Sequence, residues 1–150
     1  MPESTRHLRA RGIERAFGRV LAVLVRIGIV RGHFYVLEVR GRKSGRTIAL
    51  PVDVLELAGR RYLVSPRGET DWARNARAAG EVALVRGRRR ERCAVWELAT
   101  GERPPILKNY LDRFAAEVQR FFPVAKGSPA EAFADLAPLY PVFELLPPRL

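Results

Sequence analysis

The chain has 150 residues, 47% of them hydrophobic, and 27 lysines and arginines against 16 acidic residues give it a formal net charge of +11. That length fits one domain around one hydrophobic core, and the apolar fraction excludes a disordered chain. A single cysteine, Cys93, excludes an internal disulfide framework and points to a reducing cytoplasm, while His7, His33 and Cys93 lack the spacing of a metal site, so no metal centre is expected.

The charge is almost all arginine, since Lys43, Lys108 and Lys126 are the only lysines. Arginine offers a rigid fork suited to phosphate and carboxylate. The excess predicts attraction to nucleic acid, to an anionic membrane surface, or to a phosphorylated and carboxylated small molecule. A compositional bias towards arginine across the source proteome is the other explanation. The opening MPESTRHLRARG has no n-region or cleavage site, so no signal peptide is expected. The most apolar run, VLAVLVRIGIV (residues 20–30), is too short for a bilayer and is interrupted by Arg26.

In chain order, residues 13–30 carry a helical period. Arg11, Arg15, Arg19 and Arg26 share one face, and Phe17, Val20, Leu21 and Leu24 the other. This reads as a helix packed on the domain, with a basic helix lying on a membrane surface as the alternative. A β-rich middle follows: FYVLEV (34–39), TIALPVDVLEL (47–57), RYLVSP (61–66), EVALVRG (81–87) and RRERCAVWELA (89–99). Ala58–Gly59 and Gly87 are hairpin turns, the latter putting Arg88 to Arg90 near an exposed edge. Pro51 requires an edge position or a bulge. TDWARNARAAG (70–80) reads as a helix capped by Thr70 or Asp71 and stopped by Gly80. A longer helix spans about residues 103–121, opening on Pro104–Pro105, with Ile106, Leu107, Tyr110, Leu111, Phe114, Val118 and Phe121 as its buried stripe. A short helix is expected near 129–138, and then PVFELL as a last strand or extended segment.

The whole chain, 1–150, reads as a single domain, mainly β with flanking helices (α+β). About six antiparallel strands form a small closed or split β-barrel, because closure removes exposed edges. Two strand-ending loops carry the candidate chemistry. In GRKSGR (41–46), Gly41 and Gly45 allow amides to converge on an anion, while Arg42, Lys43 and Arg46 add charge and Ser44 a donor. In LVSPRGETDWARN (63–75), a strand end runs into a helix whose N-terminus favours phosphate or carboxylate. A solvated turn and a core Trp72 are the plain readings of each stretch alone. Together they form a plausible pair of clamps on one polyanionic ligand. No nucleophile–histidine–acid set accompanies them, and Glu69 and Asp71 read as helix N-terminal charges. Anion binding without acid–base machinery fits an enzyme whose chemistry belongs to a cofactor.

VRGRKSGR, LPV and GRRYLVSPRGETDWARNARAAG resemble the deazaflavin-dependent nitroreductase and quinone reductase family of split β-barrels, FMN-binding-like in fold. The shared pattern is a GRK-[ST]-G loop, a following proline (Pro51), a serine–basic–glycine strand end (Ser65–Gly68) and a W-x-x-N helix (Trp72–Asn75), over roughly residues 33–100. The resemblance implies coenzyme F420, a deazaflavin with a phosphate and an oligoglutamate tail, with FMN as the alternative. It implies that Arg42, Lys43 and Ser44 hold phosphate and tail. Ile48, Ala49, Leu50, Pro51, Val52 and Asp53 would line the ring. Val64, Ser65, Pro66 and Arg67, with Asp71, Trp72, Ala73, Arg74 and Asn75, would complete the pocket.

The implied reaction is hydride transfer from reduced F420 to a quinone, nitro compound or other electrophilic small molecule, with Tyr110 as proton donor. Two departures from the family pattern stand out. YLDRFAAEVQRFF is mainly phenylalanine where nitroreducing members are tyrosine-rich, and Pro66 replaces a small polar residue. A homodimer is a family-based expectation, and a peripheral membrane contact through the N-terminal helix accords with members that use membrane quinones. The rival reading is a non-catalytic split barrel binding FMN, haem or fatty acid. Nucleic-acid binding rests on charge alone and is not expected, because the aromatics sit at core-periodic positions.

Overall fold

The computed structural model describes residues 33–149, so the predicted helix over 13–30 lies outside the described residues. Seven strands form one antiparallel sheet: β1 (Phe34–Arg40), β2 (Thr47–Asp53), β3 (Leu55–Leu57), β4 (Arg60–Val64), β5 (Glu81–Arg86), β6 (Arg89–Glu97) and β7 (Val142–Leu146). Their order is β2-β1-β5-β6-β7-β4-β3. The sheet's two edges, β2 and β3, are separated in the chain by Val54 alone. The edges therefore meet at that corner and the sheet curls into a half-barrel. The single predicted strand 47–57 is thus two strands that bend at a fully buried valine, whose N–H donates to the His33 carbonyl at 2.7 Å. Pro51 sits on the edge strand β2 opposite Val36, the position its missing N–H requires.

Helix α1 (Asp71–Ala79) begins at Thr70, whose hydroxyl accepts from the Ala73 N–H, and ends on Gly80 at φ +73°, a left-handed conformation that favours glycine. Its Ala73 and Ala76 have no exposed surface and press into the half-barrel against Leu37, Val82, Leu84, Cys93 and Phe143. Helix α2 (Pro104–Val118), bent at Phe114, covers the other face of β3, β4 and β7. Strand β4 serves both cores by alternation, Tyr62 and Val64 facing α2 while Leu63 joins the barrel interior. Three-residue and four-residue 3₁₀ turns take the place of the helix predicted near 129–138. Pro129 and Pro138 punctuate that segment, and its Phe133 and Ala137 anchor it to α2. At the end of α2 it is Phe122 that is buried, and Phe121 only half so, because the chain tightens into a 3₁₀ turn after Val118.

PVFELL forms β7, an interior strand between β6 and β4, with Phe143 fully buried. The β5–β6 hairpin turns at Gly87 (φ +58°), so Arg88 to Arg90 lie at an exposed tip. β6 itself is flanked on both sides and is not a sheet edge. No helix among the described residues is long and apolar enough to cross a membrane.

Candidate functional site

The GRKSGR loop joins β1 to β2. Gly41 N–H donates to the Arg46 carbonyl at 2.8 Å, Gly45 N–H to the Gly41 carbonyl at 2.9 Å, and Arg46 N–H to Ser44 Oγ at 3.2 Å. A Cβ at Gly41 would lie 2.6 Å from Ser44 Oγ and 3.3 Å from the Arg46 carbonyl oxygen, so any side chain there displaces the Ser44 hydroxyl. Arg42 N–H and Nη1 both donate to Asn75 Oδ1, at 3.0 and 2.8 Å. The expected convergence of the loop's amides on an anion is therefore corrected: most are committed within the protein, and any grip on an anion falls to the side chains. Asn75, buried on α1, braces the loop from behind and is not itself open to a ligand. Asn75→Ala removes a buried acceptor at a cost of about 1–3 kcal/mol. It should speed hydrogen exchange at the Arg42 amide while leaving the β5–β6 ladder protected, a contrast that amide exchange measures.

The second loop is fixed in the same manner. Ser65 is wholly buried, its Oγ donating to the Gly68 carbonyl at 2.6 Å and lying 2.9 Å from Thr70 Oγ1. It shapes the turn that aims Pro66, Arg67 and the start of α1. Glu69, read from sequence as a helix N-terminal charge, is gripped by Arg77 at 2.6 and 3.2 Å. That contact lowers its pKa below the usual carboxylate range. Asp71 does sit in the first turn, 3.4 Å from Arg42 Nη2.

Two cavities lie beside these loops; their linings share no residue but touch where Arg42 of one meets Asp71 of the other at 3.4 Å. One, of about 710 Å³, runs between β2, the start of α1 and α2. Ile48, Leu50, Pro51, Val52 and Asp53 line its β2 side, Val64, Pro66, Arg67, Asp71 and Trp72 the loop side, and Tyr110 the helix side. Trp72 is half-buried with its ring 6.0 Å from that of Phe143, so it is both core and wall. Arg67 and Arg120 both lie over the Phe121 ring, 5.1 and 4.6 Å from its centre, and set two positive charges at the rim.

The other cavity, of about 920 Å³, lies beside the β1–β2 loop and contains Arg42, Lys43 and Ser44 together with Arg40, Arg90 and Arg92. Arg90 and Arg92 are paired at 2.9 Å with Glu38 and Glu81. Arg40 and Lys43 form no ion pair among the described residues. The predicted site residues are thus divided between two adjoining hollows. Ala49, Ser65, Ala73, Arg74 and Asn75 line neither: Ser65 and Asn75 brace the loops, Ala73 packs the core, and Arg74 pairs with Glu69 and Asp71.

The sequence reading missed Phe34, Thr70, Glu117, Val118 and Arg120 of the first cavity. For α2 a signal existed, because Tyr110 and Glu117 are two helical turns apart and share a face. Tyr110 is buried, and burial first, then the Asp53 and Glu117 carboxyls, push its hydroxyl above the usual phenol range. Burial, followed by the hydrogen bond and charge of Glu117, pushes Asp53 up to about 8.

No family model matches the chain, and no curated protein matches it in sequence. Among solved structures the fold is that of the split β-barrel proteins. An F420-H2 dependent reductase superposes with a TM-score of 0.52 at 22% identity, covering 77% of this chain and 96% of that one. A pyridoxamine 5'-phosphate oxidase-type protein from Listeria innocua has the same TM-score at 14% identity, covering 88% and 93%. A structure described as a domain-swapped dimer matches at 0.52 and 19% identity, covering 91% and 98%. The chain spans about half, 47%, of a further match, a protein of unknown function from Agrobacterium tumefaciens, with a TM-score of 0.53 and 15% identity. At these identities the likeness establishes the split-barrel fold.

Proposed function

We propose that the protein is an oxidoreductase that holds a deazaflavin of the coenzyme F420 type and reduces an electrophilic small molecule such as a quinone or nitro compound. One observation carries the reading: an apolar-walled hollow under an edge strand and a hollow rich in arginine and lysine are linked at their linings by the Arg42–Asp71 contact. That pairing fits a ligand with a flat ring at one end and phosphate and carboxylates at the other. The reductase among the fold's relatives and the GRKSG and WARN stretches support the same choice.

In this reading β2 lines the ring. As an edge strand it has no partner strand on its outer side among the described residues, and Ile48, Leu50 and Val52 supply apolar surface. Trp72 closes the wall. Arg42, Lys43 and Ser44 take phosphate and tail, with Arg42 already oriented by Asn75 and so losing little freedom on binding. When bound, the deazaflavin supplies the hydride chemistry. The chain positions the two reactants and excludes water. Tyr110, holding its proton firmly, serves as a hydrogen-bond donor to negative charge developing on the acceptor. The domain-swapped relative supports a homodimer as the working assembly.

The test is fluorescence quenching with F420 and, separately, FMN. Quenching by F420 at micromolar concentration is expected; tight FMN binding with none of F420 would replace the deazaflavin by a flavin. Charge-assisted bonds to phosphate are worth about 1.5–3 kcal/mol each. Arg42→Ala with Lys43→Ala should therefore weaken F420 binding by at least about tenfold, whereas Arg88→Ala with Arg89→Ala at the hairpin tip leaves it nearly unchanged. Equal losses in the two double variants would show that the loop is no clamp.

A further inference from the structure

At the corner where the sheet closes, the fold gathers three side chains that lie far apart in the sequence. His33 immediately precedes β1, Asp53 ends β2, and Glu117 lies in the last turn of α2. One potential ligand atom from each falls within 4.8 Å of the others. His33 Nε2 is 3.6 Å from Asp53 Oδ1, and the Asp53 side chain is only 11% exposed. Its Oδ1 is buried and accepts no hydrogen bond among the described residues.

Two adjacent carboxyl groups repel unless something positive stands between them. Elsewhere this arginine-rich chain supplies the cation: Glu38, Glu69, Glu81, Glu91 and Glu97 each meet a guanidinium. Here none does, for neither Asp53 nor Glu117 has an arginine or lysine partner among the described residues. The groups are also held in place from outside the cluster. The His33 carbonyl accepts from Val54 N–H at 2.7 Å, and its ring rests 4.9 Å from that of Phe114.

We propose that His33, Asp53 and Glu117 form a binding site for a divalent transition-metal ion. One imidazole nitrogen and two carboxylate oxygens make a mixed donor set that suits Mn²⁺, Fe²⁺, Co²⁺ or Zn²⁺. Bonds of about 2.0–2.2 Å to a shared ion put its ligand atoms roughly 3–4 Å apart. The histidine–aspartate separation already satisfies this, and the exposed Glu117 closes the remaining distance by rotation. Asp53 and Glu117 both line the 710 Å³ cavity that also contains Tyr110, so an ion held by them would lie at its wall. The absence of a metal centre expected from sequence rested on local spacing, and a ligand set assembled from three elements has none. The proposal stands independently of the oxidoreductase reading.

The experiment uses the full chain, stripped of metal with EDTA and dialysed, and titrated with Co²⁺ near neutral pH. Visible d–d absorption saturating at one Co²⁺ per chain is expected, with competition by Zn²⁺. Asp53→Asn and Glu117→Gln should each lower affinity at least about tenfold with circular dichroism unchanged. Glu56→Gln, on an exposed residue lining the neighbouring cleft but outside the cluster, should leave affinity unaltered. No Co²⁺ binding below about 1 mM overturns the proposal. Binding that persists undiminished in both carboxylate variants, or that is lost with His7→Ala alone, overturns it equally.

Discussion

In the presence of EDTA the protein is expected to lose about 2–4 kcal/mol of stability between about pH 5 and pH 9, and Asp53→Asn is expected to abolish most of that loss. Asp53 is raised from 3.8 to about 8. The folded state therefore retains a proton that the unfolded chain releases above its ordinary carboxylate pKa. The stabilisation is complete below that lower value, declines as pH rises, and is exhausted above about 8. Three groups face the Asp53 carboxyl: His33 from ahead of β1, and Tyr110 and Glu117 from α2. Glu117, being exposed, turns outward when both carboxyls ionise, which keeps the loss below the full value of the shift. The depressed carboxylates Glu69, Glu91 and Asp112 act in the opposite sense and at lower pH. Their contribution is constant once they are ionised in both states, and the buried Cys93 thiol, pushed up by its burial, adds to the loss only at the top of the window, so the change between about pH 5 and pH 8 falls chiefly to Asp53. Urea denaturation of both proteins at the two ends of that window decides the matter. A flat profile for the natural chain, or an equally steep one for Asp53→Asn, would show that the pair does not retain the proton.

Arg103→Leu is expected to cost about 3–5 kcal/mol, and Arg103→Lys to restore less than half of it. The guanidinium is buried just ahead of α2. Its Nε donates to the Leu98 carbonyl at 3.0 Å, and its Nη1 to those of Ala137 and Tyr140 at 3.0 and 3.2 Å. Glu97 stands 3.8 Å from Nη2. Leucine fills part of the space and leaves three carbonyls without their donor, each a buried desolvated group. Lysine keeps the charge but has no planar fork with which to reach three carbonyls. The measurement is the urea midpoint at fixed m-value, and a loss below about 1 kcal/mol would mean that water or a neighbouring amide takes over the arginine's bonds.

That arginine also shows where sequence reading stops. Strands β1, β4, β5 and β6 and helix α1 announce themselves by alternation, hairpin glycines and capping residues, all of which are local. The WARN stretch was legible as a helix start, but not that Asn75 would face backwards to brace the β1–β2 loop. TIALPVDVLEL reads as one strand because nothing local distinguishes Val54, and only the closure of the sheet makes it a corner. The β2 wall of the cavity could be named residue by residue. Of the α2 wall only Tyr110 was named; helical spacing puts Glu117 on its face, but that this face stands opposite β2 depends on packing between elements distant in the chain. Arg103 carries no local signature at all, for its partners are carbonyls of three separate positions.

The place of β7 has a consequence for how the chain comes off the ribosome. Strands β2-β1-β5-β6 and the pair β4-β3 are continuous through Val54 at one corner, but among the described residues only β7 joins their ladders, pairing with both β6 and β4. During vectorial synthesis both fragments wait with a bare ladder of amides and carbonyls on the sides facing the gap. Until residues 142–146 have emerged, the nascent polypeptide has two sticky flanks and lacks the strand that bridges them.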